Sequence, residues 1–452
     1  MSRRHDLSRR DFIRDSTGLA GAALAARTVM LEAGPAAGER RAASGDPVRF
    51  GIVGIGMRGS GLLATAITLP GVVCGGACDL YTGRRELAKE ILKNPSIPIT
   101  ARYQDLLDNK NIDAIIAAVP DHWHMKLVVE ATSAGKDVYC EKPMSHTVAE
   151  GFKMVAAQNN SGRIVQIGSQ RRSSIGFEKA RELVAAGAIG DVTWVEAGLG
   201  RNSACGAWKY AVPPDVSPET VDWTTWLDGA PNRPFDALRW TRWRCYRDYG
   251  EGIPGDLFVH ELTGIHTVMD VKAPPSRASS SGGLFRWKDG REVPDELATL
   301  YEYPSFRALV RVTLNTRIPE MTRFYGTHGL IELHGEGDVV TMIPQEGEDH
   351  SPCTPAWPEA MRERYAKKWE AKHGLQAGDA KLSESMIYRT PDHYDDTADH
   401  LWNFFHSVRT RRPSVEDANF GNRTAIGCHM ANASYFHQAT VVWDEQAKQI
   451  KV

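Results

Sequence analysis

The run Gly54-Ile55-Gly56-Met57-Arg58-Gly59 constrains this chain more than any other feature. A short β-rich run, Val48 to Val53, precedes it, and a helical stretch from about Ser60 to Leu69 follows. Asp79 ends the next strand, Val72 to Cys78, 20 residues after Gly59. Glycines at this spacing permit a tight strand-to-helix turn, a close backbone approach to a pyrophosphate and close helix–sheet packing. The helix N-terminus offers free N–H groups and a positive dipole end to phosphates. Asp79 can accept hydrogen bonds from both ribose hydroxyls and repels a 2′-phosphate, so NAD is expected over NADP. The nearby Arg84 leaves NADP open.

Strand and helix patterns then alternate. Helices are expected over Arg84–Leu92, Tyr103–Asp108, His124–Ala134 and Val148–Asn159. Strands are expected over 114–119, 137–140 and 164–167. This rhythm implies a doubly wound parallel α/β sheet of Rossmann type over residues 47–170. After Gly168 the strand candidates lengthen and sit side by side: Val192–Leu199, Leu297–Tyr303, Ala308–Leu314 and Gly329–Leu333. They imply an α+β domain over 171–452 with a large, mostly antiparallel open sheet. Residues 343–395 are charged and read as a surface insertion, with a solvated helix at Pro358–Lys372. Two helices, Thr397–Val408 and Asn419–His437, end the chain.

A chain of 452 residues with a net charge of -2 can build such domains, and it has no electrostatic footprint for nucleic acid. Its seven cysteines match no zinc or disulfide framework, and no metal site is expected. The first residues carry Ser8-Arg9-Arg10-Asp11-Phe12 and then a weakly apolar run, Gly18 to Ala26. That order reads as a twin-arginine export signal, with residues 1–46 as signal and linker. The expected partner is then the twin-arginine translocase, and the expected location periplasmic or otherwise exported. Such a protein crosses already folded, so it must load its cofactor beforehand and hold it tightly.

Together, Gly54–Gly59, Asp79, Val119-Pro-Asp-His-Trp-His124, Gly135-Lys-Asp-Val-Tyr-Cys-Glu-Lys-Pro143 and Gln166-Ile-Gly-Ser-Gln-Arg171 resemble the Gfo/Idh/MocA oxidoreductases. The resemblance covers roughly residues 48–452. It implies an NAD(P)-dependent enzyme acting on a hydroxyl of a sugar, sugar derivative or cyclitol, and a homodimer or homotetramer built on the open sheet. It makes Lys142 the active-site lysine, follows it with a cis bond to Pro143, and places Pro120, His124 and Glu141 with Gly54, Ile55, Gly56, Met57, Arg58, Gly59 and Asp79 around the cofactor.

An ammonium at position 142 can stabilise a reacting alkoxide. Asp256 and His260 are four residues apart and share a face if helical, and they look like the family's Asp-x-x-x-His pair. His260 is the expected general base and Asp256 its orienting or substrate-binding carboxylate. The acid that many members carry three residues after this histidine is Thr263 here. Arg171 and Arg172 are candidate substrate ligands. His266-Thr-Val-Met-Asp270 also resembles a segment of the NAD-dependent α-N-acetylgalactosaminidases, which oxidise, eliminate and reduce back. A redox glycosidase is therefore the alternative, with a non-catalytic NAD- or sugar-binding module behind it.

Overall fold

A computed structural model describes residues 29–32, 47–345, 353–373 and 384–452. The twin-arginine run lies outside the described residues. Within the segment read as signal and linker, Val29–Glu32 forms a strand paired in parallel with Met386–Arg389.

The apolar runs of the N-terminal half are buried strands. Their order in the sheet is Ile99–Thr100, Val72–Cys78, Val48–Val53, Ala114–Ala117, Asp137–Glu141 and Val165–Gly168, all parallel. The order reverses between Val48–Val53 and Ala114–Ala117. A doubly wound sheet opens its ligand crevice at this switch point, beyond the strands' C-terminal ends. Gly54 and Val119 stand there. Five of the six strands have boundaries within a residue or two of the sequence reading, and the short edge strand Ile99–Thr100 has no counterpart in it.

One helix departs from the expected division at residue 170. Asp396–Thr410 places Leu401, Phe404, Phe405 and Val408 in the same buried cluster as Phe50, Ile52 and Leu62 of the parallel sheet. Phe405 meets Phe50 at 5.7 Å between ring centroids. A parallel sheet needs cover on both faces, and the chain returns late to provide it. The grouping of this helix with the substrate domain is thus corrected.

The second sheet has eleven strands among the described residues. Val192–Gly200, at its centre, pairs in parallel with Arg307–Thr313 and antiparallel with Ile318–Gly326. All other pairs but the one at Val29–Glu32 are antiparallel. Burial alternates along Glu296–Glu302, as in a sheet with one covered face. Helices Ile175–Ala185, Val259–Val268 and Ala418–His437 lie on this domain. Several strands here have no counterpart in the strand patterns of the sequence, among them Arg277–Gly283 and Ile318–Gly326. Met386–Arg389, inside the expected insertion, is a strand of the sheet, whereas Glu359–His373 is the expected helix.

Candidate active site

The glycine turn has the shape a dinucleotide needs. Gly54 has φ +91, and a Cβ there would lie 2.3 Å from the Ala118 carbonyl oxygen. At Gly59 a Cβ would lie 1.9 Å from the Gly54 carbonyl oxygen, so only glycine lets the helix Met57–Ala66 start against the strand. At Gly56, the N-cap, a Cβ would meet nothing closer than the Arg84 guanidinium at 3.6 Å. That face is open cradle, and the helix N-terminus behind it suits a pyrophosphate.

Asp79 is buried and fixes the cradle's rim. Its carboxylate accepts from the Ile55 N–H at 2.7 Å and the Tyr81 N–H at 2.9 Å, with Arg84 at 3.8 Å. Each oxygen keeps a lone pair for a ribose hydroxyl. The Asp215–Asp228 segment latches onto this rim. Thr82 donates its N–H to the Thr220 carbonyl at 2.9 Å, and the Tyr81 hydroxyl donates to Asp215 at 2.5 Å. Trp240 stands edge-on to Tyr81 at 5.0 Å, with the Arg84 guanidinium 4.5 Å from its ring centroid.

At the strand end beyond the switch point, Lys142 precedes a cis peptide bond to Pro143. Its Nζ donates to the Asp256 carbonyl at 2.7 Å and carboxylate at 3.0 Å. The same carboxylate accepts from Arg244 Nε at 2.9 Å and Trp208 Nε1 at 2.8 Å. Burial works against ionisation of Asp256, but the Lys142 and Arg244 charges outweigh it and hold the carboxyl well below its usual range. Asp256 sits in a π-helical turn, Pro254–Phe258, that runs directly into the helix Val259–Val268 carrying His260. Burial, then the charges of Lys142 and Arg171, depress the His260 imidazole well below its ordinary value, against the pull of Asp256. His260 is therefore held as a neutral ring.

Residues 48–169 match the family model described as "Oxidoreductase family, NAD-binding Rossmann fold", GFO_IDH_MocA. The match takes in the parallel sheet, the glycine turn and the Glu-Lys-Pro element. Inositol 2-dehydrogenase of Salmonella paratyphi B is 34% identical over 149 residues, which are 32% of this chain and 43% of that protein. The match thus spans under half of that curated relative. Solved structures share the fold over most of the chain, two of them as follows. Levoglucosan dehydrogenase, in complex with NADH and levoglucosan, has a TM-score of 0.63 at 17% identity, covering 88% of this chain and 99% of that one. Aldose-aldose oxidoreductase from Caulobacter crescentus, complexed with glycerol, has a TM-score of 0.62 at 18% identity, with coverage of 88% and 99%.

Several expected contacts are relocated. His124 is completely buried, with Nδ1 2.7 Å from the Pro143 carbonyl and Nε2 3.0 Å from that of Val119. As a neutral ring it donates to one of these two carbonyls and lies between the strand ends with no exposed surface. Glu141 is buried too and accepts from Arg58 Nε at 2.8 Å, so a glycine-loop side chain is braced on the Glu-Lys-Pro element. Pro120, half-buried, precedes the short helical turn Asp121–Trp123.

Arg171 is buried and pairs with Glu261 at 2.9 Å and with Glu320. Its charge acts on His260, but its guanidinium is committed within the protein, which corrects its reading as a direct substrate ligand. Arg172 lies over the Phe420 ring at 5.4 Å, with Nε buried. His266 is buried, 2.8 Å from the Tyr303 hydroxyl and 3.2 Å from that of Thr424. Its helix continues unbroken through Gly264, so it faces the core, while Asp270 pairs with Lys272. His122 contacts the Trp226 carbonyl at 3.0 Å, and burial lowers its pKa to about 4.

Sequence reasoning missed Arg244 and Trp208, which complete the Asp256 clamp. They come from 12 and 48 residues upstream, and no local pattern joins them to it.

Proposed function

We propose that this chain is an NAD-dependent oxidoreductase acting on a secondary hydroxyl of a sugar, sugar derivative or cyclitol. The observation that carries the reading is the Lys142–Asp256 contact, because it joins the Gfo/Idh/MocA domain to the turn that presents His260. Bound at Gly54–Gly59, the nicotinamide nucleotide supplies the hydride acceptor. Lys142 stabilises the oxygen of the reacting hydroxyl as its proton leaves. His260, kept neutral, accepts that proton at a ring nitrogen. Asp256, Arg244 and Trp208 hold the Lys142 ammonium in place.

Asp79 favours NAD over NADP by repelling a 2′-phosphate. The latch from Asp215 to Asp228 supports a cofactor that leaves slowly. We propose in the same way that the Arg9-Arg10 run directs export of the folded, loaded protein through the twin-arginine translocase, and that a homodimer or homotetramer uses the open sheet face. The glycosidase alternative rested on the resemblance of the stretch His266–Asp270, in which His266 is a core side chain and Asp270 pairs with Lys272; product analysis separates it from the dehydrogenase.

The test is to purify the protein, release any bound nucleotide by denaturation and identify it. The protein is then offered free sugars, cyclitols and nitrophenyl glycosides. Reduction of NAD by a free polyol or sugar, lost in Lys142→Met with nucleotide binding retained, is the expected result. Nitrophenol release without net reduction of NAD overturns it in favour of the glycosidase.

A further inference from the structure

Behind the site lies a second constellation that the proposed chemistry does not use. His429 Nδ1 is 2.6 Å from Glu251 Oε1, and its Nε2 is 3.3 Å from Ser145 Oγ. The order Ser–His–Glu is that of a hydrolytic triad. Ser145 is completely buried, however, so no substrate carbonyl reaches its hydroxyl. The arrangement has another use, which follows from where its members sit in the chain.

Ser145 lies three residues after Lys142, on the loop that leaves the Glu-Lys-Pro element. Glu251 lies five residues before Asp256, at the entry to the π-helical turn. A Cβ at Gly255 would come 2.6 Å from the Glu251 Cβ and 3.1 Å from the Pro143 ring, so the two loops touch where glycine leaves room. Glu251 also donates its N–H to Asp121 at 3.2 Å, and its carbonyl accepts from Asn432 Nδ2 at 3.0 Å. His429 rises from the middle of the helix Ala418–His437, which the other two do not belong to. One imidazole thus pins both halves of the site to a rigid third element.

We propose that His429 is a positioning residue that holds the Lys142 loop and the Asp256 turn in register through its bonds to Ser145 and Glu251. The inference rests on the reading of Lys142 and Asp256 as site residues. It is a claim about two hydrogen bonds and not about proton transfer. Hydrogen bonds between buried groups are stronger than in water, and displacement of a reacting group by about 1 Å costs roughly 100-fold in rate. His429 also borders a cavity of about 260 Å³ lined by Thr147, Arg247, Asn432 and His437, so its ring is not sealed from exchange with solvent.

The experiment compares His429→Leu, His429→Gln and Glu251→Gln in the cofactor-loaded protein. His429→Leu is expected to lower kcat by roughly 100-fold with KM within a few-fold of wild type. His429→Gln, whose amide can bridge both partners without titrating, is expected to recover most of that loss with the wild-type pH profile. A Gln variant as slow as the Leu variant overturns the proposal, and so does a Leu variant at full rate. If no substrate is turned over, the functional reading fails separately, and amide exchange still decides the bridge. His429→Leu must then speed exchange in both 142–147 and 250–258. Faster exchange in only one of the two, or in neither, sinks the proposal.

Discussion

Lys142 Nζ donates to both the main-chain carbonyl and the carboxylate of Asp256, at 2.7 and 3.0 Å. The contact spans 114 residues of sequence and joins the nucleotide domain to the second domain at the mouth of the crevice. Its geometry makes the carboxylate the hub of the site, since Arg244 and Trp208 converge on it as well.

Asp256→Asn is therefore expected to cost more than a hydrogen bond. The amide retains the shape but removes the charge that offsets two nearby cations. With those cations left uncompensated, the variant is expected to lower kcat roughly 100- to 1000-fold. Bound nucleotide is expected to remain, because Asp256 lies outside the glycine turn. Steady-state kinetics together with nucleotide content after denaturation check both halves.

The glycine turn predicts two different failures. Gly59→Ala puts a Cβ against the Gly54 carbonyl and is expected to cost at least about 1–3 kcal/mol of stability. In Gly56→Ala the added methyl meets only the end of the flexible Arg84 side chain. Its melting temperature without nucleotide is expected to stay within a degree or two of wild type, while the Kd for NAD rises. Thermal melts and nucleotide titration on the apoprotein separate the two outcomes.

Much of this half was legible in the sequence, for a physical reason. Gly54, Gly56, Gly59 and Asp79 act through backbone conformation and spacing along one strand–turn–helix unit, so a linear reading captures them. Lys142 was legible through its Glu-Lys-Pro context. The Asp256 clamp was legible only in part: its carboxylate could be named, but Arg244 and Trp208 reach it through the tertiary fold. His124 and Arg171 were misread because burial is not a local property. A histidine at a strand end and an arginine after one carry the same sequence signal whether they face a ligand or a carbonyl. The helix Asp396–Thr410 was recognised as a helix, but its apolar stripe does not say which sheet it covers.

Asp79→Ser is expected to loosen cofactor choice. The acid's repulsion of a 2′-phosphate disappears, while Arg84, now 3.8 Å from the Asp79 carboxylate, remains to attract one. The ratio of NADP to NAD affinity is expected to rise by at least tenfold, read by competition titration. An unchanged ratio would show that discrimination lies elsewhere on the rim. The hydrogen bonds from Ile55 and Tyr81 are lost too, so absolute NAD affinity is also expected to fall.

Asp396 supplies a pH signature. Burial, then the nearby Glu336, raises its carboxyl to about 7 despite the opposing Arg58, and Oδ2 has no partner. Its folded pKa lies above the unfolded value of about 3.9. The folded state thus holds a proton that the unfolded chain releases, and this group's contribution to stability falls as pH rises from about 4 to about 7. Above that window the cost is constant. Asp396→Asn removes the charge without removing the shape. It is expected to stabilise the protein by roughly 2–4 kcal/mol at pH 8 and by little at pH 4. Denaturant melts at both pH values check the sign, and equal effects at the two would contradict it.

Phe405 tests where the late helix belongs. Its ring is fully buried against Phe50, in the same cluster as Ile52, Leu62 and Leu63, which cover one face of the parallel sheet. Phe405→Ala leaves a cavity there and is expected to cost about 3–5 kcal/mol. Because the cavity opens beneath the nucleotide domain, the loss is expected to appear as faster amide exchange in 48–53 and 57–66. Exchange in the eleven-stranded sheet is expected to change little. A chain ending at residue 395 is for the same reason expected to expose the apolar face around Phe50 and to lose the nucleotide. If that truncated chain kept a folded, NAD-binding domain, the late helix would be dispensable cover and the domain boundary at 170 would stand.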